Sequence, residues 1–219
     1  MTVKSPLFPI GNHKLLDSGG RVRRALVDDV DTIDRLIGES AEQLGKNFYT
    51  ALQRSAAIEH VFGSDRTLIE DGTYLIIEND HELLGCGGWS RRATLFGGDR
   101  FADRNPRLLD PAHDPARIRA FFVSPRHARR GVASWLLAEC ESAARTEGFR
   151  ALELMATLPG VPFYAAQGFV QTADINLELG PDVGPEKAGV LVPFVAMRKE
   201  LRSAAGGPAN ALHPTVPSR

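Results

Sequence analysis

The stretch RHARRGVASWLLAEC, residues 126–140, joins a basic cluster to an amphipathic helix. The basic residues that precede Gly131 are Arg126, His127, Arg129 and Arg130. The first four amides of a helix have no partner within the helix, and the helix dipole adds positive potential there. Because Gly131 has no Cβ to keep a phosphate from the backbone, the pattern indicates an anion site. The alternative interpretation fits the same residues about as well: the arginines belong to a solvent-exposed loop, and the glycine only begins the helix.

The segments around this helix predict a β-α-β unit. The helix predicted over 131–147 carries apolar side chains at helical spacing, and Gly148, a residue favoured just past a helix end, follows it. RIRAFFVSP (117–125) is typical of a strand that ends at proline, and RALELMA (150–156) of a buried strand. A strand, a crossover helix and a second strand of this size place the two strands parallel in one sheet.

The rest of the chain predicts an α/β (α+β) fold. We expect one domain over residues 21–202, with a central mixed, mostly antiparallel sheet of about seven strands and about four helices. The other predicted strands cover residues 21–27, 73–80, 82–89, 169–179 and 190–201, and the other predicted helices cover 28–44, 49–62 and 161–167. Residues 1–20 and 203–219 are rich in Gly, Pro, Ser and Ala, so flexible tails are expected there.

Composition narrows the function classes. The 219 residues carry a net charge of −1, which favours neither a nucleic-acid partner nor an anionic membrane surface. No apolar run approaches the roughly 18 residues of a membrane span, and the first residues contain no apolar segment of a secretory signal, so we expect a soluble, cytoplasmic protein. Cys86 and Cys140 lie far apart in apolar segments, which favours reduced core thiols over a disulfide or a metal site.

Three connected signatures resemble the GNAT superfamily of acyl-CoA-dependent N-acyltransferases. They are the strand RIRAFFVSP, the loop and helix start ARRGVASWLL (128–137), and PFYAAQGF (162–169) followed by a strand. The family's loop is written Gln/Arg-x-x-Gly-x-Gly/Ala, and residues 128–133 read Ala-Arg-Arg-Gly-Val-Ala. Ala128 departs from the first position and lacks its polar side chain. The resemblance covers residues 116–170 closely and the order of elements over 21–200 loosely.

The resemblance implies an enzyme that transfers acetyl from acetyl-CoA, its cosubstrate, to a primary amine of a small molecule or peptide, without a metal. It places the CoA pyrophosphate on the backbone of Arg129, Arg130, Gly131, Val132, Ala133 and Ser134. The pantetheine arm is expected between two splayed strands, at Phe122 and Val123. A catalytically inactive acyl-CoA-binding sensor of the same fold is the alternative.

Tyr164 stands where the family often has a tyrosine beside the leaving sulfur. A phenol can donate a proton or hydrogen bond to that sulfur while staying neutral at pH 7. Packing of the ring against the sheet is the alternative role. Some relatives also carry a glutamate early in the strand before the loop, where this chain has Arg-Ile-Arg-Ala (117–120). Glu153, His113 or a water molecule remain as candidates for a general base.

The acceptor site is predicted from two arginines and a tryptophan. Arg117 and Arg119 lie at a period of two, so they share one strand face opposite Ile118, Ala120 and Phe122. If their face opens to the acceptor cleft, an acidic acceptor is expected; if it faces solvent, they have no such role. Trp89 is a candidate wall of the site. A homodimer through VLVPFVAM (190–197) is a further expectation, although Pro193 also fits an edge strand or a bulge.

Overall fold

A seven-stranded sheet with the order β1-β2-β3-β4-β5-β7-β6 forms the centre of the fold. The computed structural model describes residues 19–99 and 105–201; the predicted tails, apart from residues 19 and 20, lie outside them. The strands are β1 (Arg21–Arg24), β2 (Tyr74–Glu78), β3 (Leu83–Ser90), β4 (Ala116–Val123), β5 (Ala151–Thr157), β6 (Val170–Glu178) and β7 (Leu191–Glu200). The predicted mixed sheet is confirmed, since β4 and β5 are parallel and their neighbours antiparallel.

Five α-helices pack against the sheet in the described residues. They are α1 (Val30–Gly45), α2 (Ala51–His60), α3 (Arg66–Glu70), α4 (Val132–Thr146) and α5 (Val161–Ala166). Helix α3 was not predicted, because its five residues are too short to display an apolar period. Asp65 caps it by accepting a hydrogen bond from the Leu68 amide at 3.2 Å. No described helix has both the length and the apolar character needed to cross a membrane.

The parallel strands β4 and β5 separate soon after they meet. Their pairing consists of Ala116 with Leu152 and Arg117 with Glu153. Beyond these pairs, within the described residues, β4 pairs only with β3 on its other side, while β5 continues along β7. A gap therefore opens inside the sheet, next to the residues that lead into α4.

A bulge in β4 changes which side chains share a face. The register with β3 shifts between Phe122 and Arg119, and Ala120 adopts a φ of +53°. Ala120 and Phe122 pack with the α1 side of the sheet, whereas Ile118 and Phe121 pack with the α4 side. The predicted common face of Ile118, Ala120 and Phe122 is therefore wrong, because the extra residue of a bulge shifts the alternation by one.

Glycines in β3 let α4 approach the sheet closely. A Cβ on Gly85 would lie 2.6 Å from the Cγ1 of Val132, and a Cβ on Gly87 would lie 2.4 Å from the Phe121 ring. Real side chains do not tolerate such distances, so these positions need glycine. The first turn of α4 is consequently seated on the backbone of β3. Deeper in the core, Cys86 and Cys140 are buried free thiols, as expected from the sequence.

Candidate functional site

A cavity of about 820 Å³ lies where β4 and β5 diverge. One group of wall residues comes from β4 (118–123), the start of α4 (131–134) and α5, including Tyr164. The other group comes from α1, α2, the loop 95–98 and β7. This volume is within the range of about 300–1,000 Å³ that is usual for small-molecule sites. The diverging strands thus open onto a space that a small molecule can fill.

The start of α4 lies on the cavity wall and begins with a glycine. Gly131 caps the helix with φ +93°, in the left-handed region that favours glycine. Gly131 has no side chain to cap the first turn, so among the described residues the N-cap position leaves the first amides without a side-chain cap. Val132, Ala133 and Ser134 line the cavity with Gly131, and Arg129 lines it from the preceding loop. Arg130 is exposed and does not line the cavity, so only its backbone remains a candidate contact.

The gap between the strands exposes the edge of β4. Phe122 and Val123, which the family resemblance assigns to an extended ligand arm, line the cavity there. The Phe122 ring packs edge-on against Phe62, with 5.4 Å between the ring centroids. Backbone groups of β4 that a fully paired sheet would use for β5 therefore face the cavity.

Tyr164 lies on the cavity wall inside an aromatic cluster. Its side chain is 7% exposed, and its ring centroid lies 5.0 Å from that of Phe163, 5.5 Å from that of Phe169 and 6.5 Å from that of Phe121. Within the described residues, its hydroxyl has no hydrogen-bond partner. Burial raises its pKa above the usual value, so the phenol is neutral. The geometry is compatible with both roles considered for Tyr164. Its ring packs in the aromatic cluster, and the residue also borders the cavity, where a proton donor would have to lie.

The two predicted acceptor arginines are held in ion pairs. Arg119 is 4% exposed, and its Nη1 lies 2.7 Å from Oδ2 of Asp65. Its Nη2 donates to the carbonyl of Gly97. Arg117 is paired with Glu153 of β5 and does not line the cavity. The expectation that these arginines bind an acidic acceptor is therefore corrected for Arg117, which lies away from the cavity. Arg119 lines the cavity, but its charge is shared with Asp65, because a buried guanidinium needs a carboxylate of its own.

Three further candidates lie away from the cavity wall. Trp89 is 4% exposed and packs in the core against Phe149, with 6.0 Å between ring centroids, so it does not wall an acceptor site. Glu153 is occupied by Arg117. His113 is exposed on the long loop, with its Nδ1 2.9 Å from Oδ2 of Asp110. Neither of the two named general-base candidates borders the cavity.

Tyr49, at the entrance to α2, borders the cavity and was missed in the sequence. Its hydroxyl donates to the carbonyl of Pro193 at 3.0 Å and accepts from the amide of Leu158 at 2.8 Å. Burial raises its pKa to about 12. It ties the α2 end of the cavity to β7 and to the end of β5. Its partners are more than one hundred residues away, so no local pattern could have revealed it.

Replacing Arg119 with alanine is expected to destabilise the fold by about 3–5 kcal/mol, because the negative charge of Asp65 would stay in the core without the guanidinium. Urea denaturation measures this loss. The matched control is Arg91→Ala, which breaks a surface pair with Glu147 at 3.2 Å and should cost less than about 1 kcal/mol. Equal losses of unfolding free energy in the two variants would show that the buried ion pair stabilises the fold no more than the surface pair does.

Buried phenols and thiols predict loss of stability at alkaline pH. Burial raises the pKa of Tyr49, Tyr74, Tyr164, Cys86 and Cys140. These groups are neutral when folded but ionise when unfolded, at pKa values near about 8.5 for Cys and 10 for Tyr. Their contribution to the free energy of unfolding is therefore complete below about pH 8, and it decreases as the pH rises above that value. Ultraviolet titration should show tyrosinate only as the protein unfolds; ionisation of a tyrosine in folded protein would contradict this.

Comparisons with known proteins identify the architecture. The model of the acetyltransferase (GNAT) family matches residues 40–169, which include Gly131 and Tyr164. No curated protein sequence matches the chain significantly. Among solved structures, it is similar to a GCN5-related N-acetyltransferase from Rhodopseudomonas palustris, with a TM-score of 0.59 and 20% identity over 83% of this chain and 95% of that one.

Two other structures share the fold. The PaiA N-acetyltransferase from Thermoplasma acidophilum, in complex with coenzyme A, has a TM-score of 0.54 and 14% identity over 83% of this chain and 98% of that one. The ribosomal-protein-alanine N-acetyltransferase from Brucella melitensis has a TM-score of 0.52 and 15% identity over 83% and 99%. At these identities the likeness concerns the fold alone.

Proposed function

Because the chain belongs to the GNAT acetyltransferase family, we propose that it is an N-acetyltransferase that uses acetyl-CoA and a primary amine. One observation carries the proposal. A single cavity joins the gap between β4 and β5, the left-handed glycine at the start of α4, and the buried phenol of Tyr164. These features supply an anion cradle, a slot for an extended arm and a proton donor in one space.

The residues present fit acetyl-CoA. Gly131 leaves open the space that a Cβ would occupy beside the uncapped first-turn amides of α4, and those amides suit a diphosphate. Arg129 lines the same part of the cavity and adds a cation. The free edge of β4 at Phe122 and Val123 offers backbone groups to the amides of the pantetheine arm. We therefore assign the diphosphate to residues 129–134 and the arm to the gap.

Tyr164 is the proposed proton donor. Bound acetyl-CoA supplies an acyl carbon attached to a sulfur leaving group; transfer joins the amine nitrogen to that carbon and breaks the carbon–sulfur bond. Tyr164 gives its proton to the sulfur and recovers one from the nitrogen, directly or through water, so the protons balance. The raised pKa of Tyr164 keeps that proton on the phenol at neutral pH. The surrounding rings of Phe121, Phe163 and Phe169 exclude water from it.

Calorimetry and a thiol-release assay test this function. Coenzyme A and acetyl-CoA should bind, while ADP, ATP and NAD, which lack the pantetheine arm, should bind much more weakly. Thiol should then be released from acetyl-CoA when amines are added. Binding of ATP or NAD as tight as that of acetyl-CoA would overturn the assignment of the cavity. Coenzyme binding without transfer to any amine would instead point to the acyl-CoA sensor.

A further inference from the structure

We propose that the acceptor is an aromatic amine whose amino group is uncharged at neutral pH, an inference that rests on the proposed N-acetyltransferase function. The observations are the aromatic wall and the charges at its border. We define the aromatic wall as the side chains of Phe48, Tyr49, Phe62, Phe96, Phe122 and Phe194, all of which line the cavity.

Rings of the aromatic wall contact one another in series. Phe62 packs edge-on against Phe122 at 5.4 Å and against Phe194 at 6.1 Å between centroids. Phe96 lies 6.0 Å from Phe194 with its plane tilted by 32°. Aromatic pairs prefer such edge-on and offset arrangements, and a flat aromatic guest can extend the series at low entropic cost. The wall thus favours a planar apolar body over a flexible polar one.

The wall is held in place by buried polar contacts. The Gly97 carbonyl accepts a hydrogen bond from Arg119, and the Gly98 amide donates to Val61 at 2.9 Å. A Cβ on Gly98 would lie 2.6 Å from the Gly63 carbonyl oxygen, so the loop carrying Phe96 lies flat against the end of α2. Arg119 therefore orders the acceptor pocket through this loop. A rigid pocket loses less entropy on binding than one that must be ordered by its ligand.

Among the described residues, the charged side chains that border the cavity beside the aromatic wall belong to arginines. Arg54 and Arg119 line it, with Arg54 bound to Glu42 at 3.0 Å and Arg119 to Asp65 at 2.7 Å. Because each guanidinium is neutralised by a carboxylate, little positive potential remains to attract an anionic acceptor. The described lining residues also include no carboxylate that could pair with an ammonium group, and an unpaired charge against an apolar wall is costly. An uncharged nitrogen meets neither obstacle.

Acetyl transfer also requires an uncharged amino group on the acceptor. Only a nitrogen with a free lone pair attacks an acyl carbon, and an alkylamine is protonated at pH 7, so it needs a base first. An amino group conjugated to an aromatic ring is largely unprotonated at that pH and needs none. The general-base candidates Glu153 and His113 lie away from the cavity, and His127, which lines it, lies two residues before Arg129 at the end proposed for the diphosphate. An arylamine needs no base, whereas an alkylamine must lose a proton to His127 or to water.

The test compares acceptors of matched shape in the thiol-release assay. At pH 7, 4-methylaniline should have a kcat/KM at least about tenfold above that of 4-methylbenzylamine, which has the same ring with a protonated amino group. Glutamate and spermidine serve as acidic and polycationic probes and should react more slowly still. Between about pH 6.5 and 9, the rate with 4-methylaniline should stay level while that with 4-methylbenzylamine rises, because only the latter gains neutral amine.

Variants test the aromatic wall itself. Phe96→Leu should raise the KM for 4-methylaniline about three- to tenfold, the size of an aromatic pair interaction, and leave coenzyme A affinity unchanged. The matched control is Phe149→Leu, which removes a ring from the core contact with Trp89, outside the cavity. That control should lower the unfolding midpoint without changing either binding constant.

The outcomes separate this inference from the proposed function. Preference for the benzylamine at pH 7 would mean that the rings bind a cation, and it would overturn the inference while leaving the N-acetyltransferase intact. Preference for glutamate or spermidine, or coenzyme binding without transfer to 4-methylaniline, would overturn it as well. Failure of acetyl-CoA to bind would instead remove the proposed function.

Discussion

Gly131→Glu is expected to abolish coenzyme A binding, with an affinity loss of at least about 100-fold, since like charges brought together in a binding site cost several kcal/mol. The new carboxylate would lie beside the uncapped amides of α4, where the diphosphate is proposed to bind. It would compete for those amides and repel the phosphates. The left-handed φ of +93° adds a backbone cost of about 1–3 kcal/mol for any residue other than glycine. Calorimetry with coenzyme A measures the loss.

Gly148→Glu is the matched control. Gly148 follows the other end of α4 with φ +90°, so the same substitution there carries a similar backbone cost. An added Cβ would be in ordinary contact with Pro111, at 3.6 Å. Both variants should unfold at lower urea concentration than the parent, but only Gly131→Glu should lose coenzyme A. Equal weakening in both would assign the effect to helix stability and remove the anion site.

Tyr164→Phe should lower kcat by about 10²–10⁴-fold, the usual contribution of a positioned general acid. Coenzyme A affinity should change little, because the hydroxyl is needed mainly in the transition state. The ring would remain packed against Phe121, Phe163 and Phe169, so the fold should persist. Single-turnover acetyl transfer, with coenzyme A affinity measured in parallel, tests the expectation.

Tyr74→Phe removes a different buried phenol. Tyr74 lies on β2, does not line the cavity and donates to the carbonyl of Ala120 at 3.2 Å. Its loss should cost about 1 kcal/mol of stability and leave kcat near that of the parent. An unchanged kcat in Tyr164→Phe, under conditions where chemistry limits the rate, would assign Tyr164 to packing.

Local sequence signals predicted most of the elements because each is encoded within a short window. Apolar residues at helical spacing, Gly148 after α4, and proline after β4 define α4 and its neighbours. The parallel pairing of β4 and β5 follows from the crossover helix between them. Gly131, which the sequence pattern indicated as an anion site, lies on the cavity wall.

The residues whose positions were predicted wrongly have one feature in common. The environment of each depends on partners that are distant in the sequence. The alternation predicted along β4 is wrong at Ala120, because β4 has a bulge where it pairs with β3. Arg119 is held by Asp65, and that contact joins segments more than fifty residues apart. Trp89 joined the core instead of the acceptor site because Phe149 packs against it.

The sequence by itself determined all the strands, all the helices except α3, their order, the parallel crossover and the glycine at the start of α4, because backbone propensity, apolar period and chain connectivity act over short distances. Tertiary structure alone decided which arginines are neutralised, that Tyr49 joins β7, and that separate phenylalanines form one aromatic wall. Such contacts depend on which side chains the folded sheet brings within a few ångströms, and no local pattern encodes them.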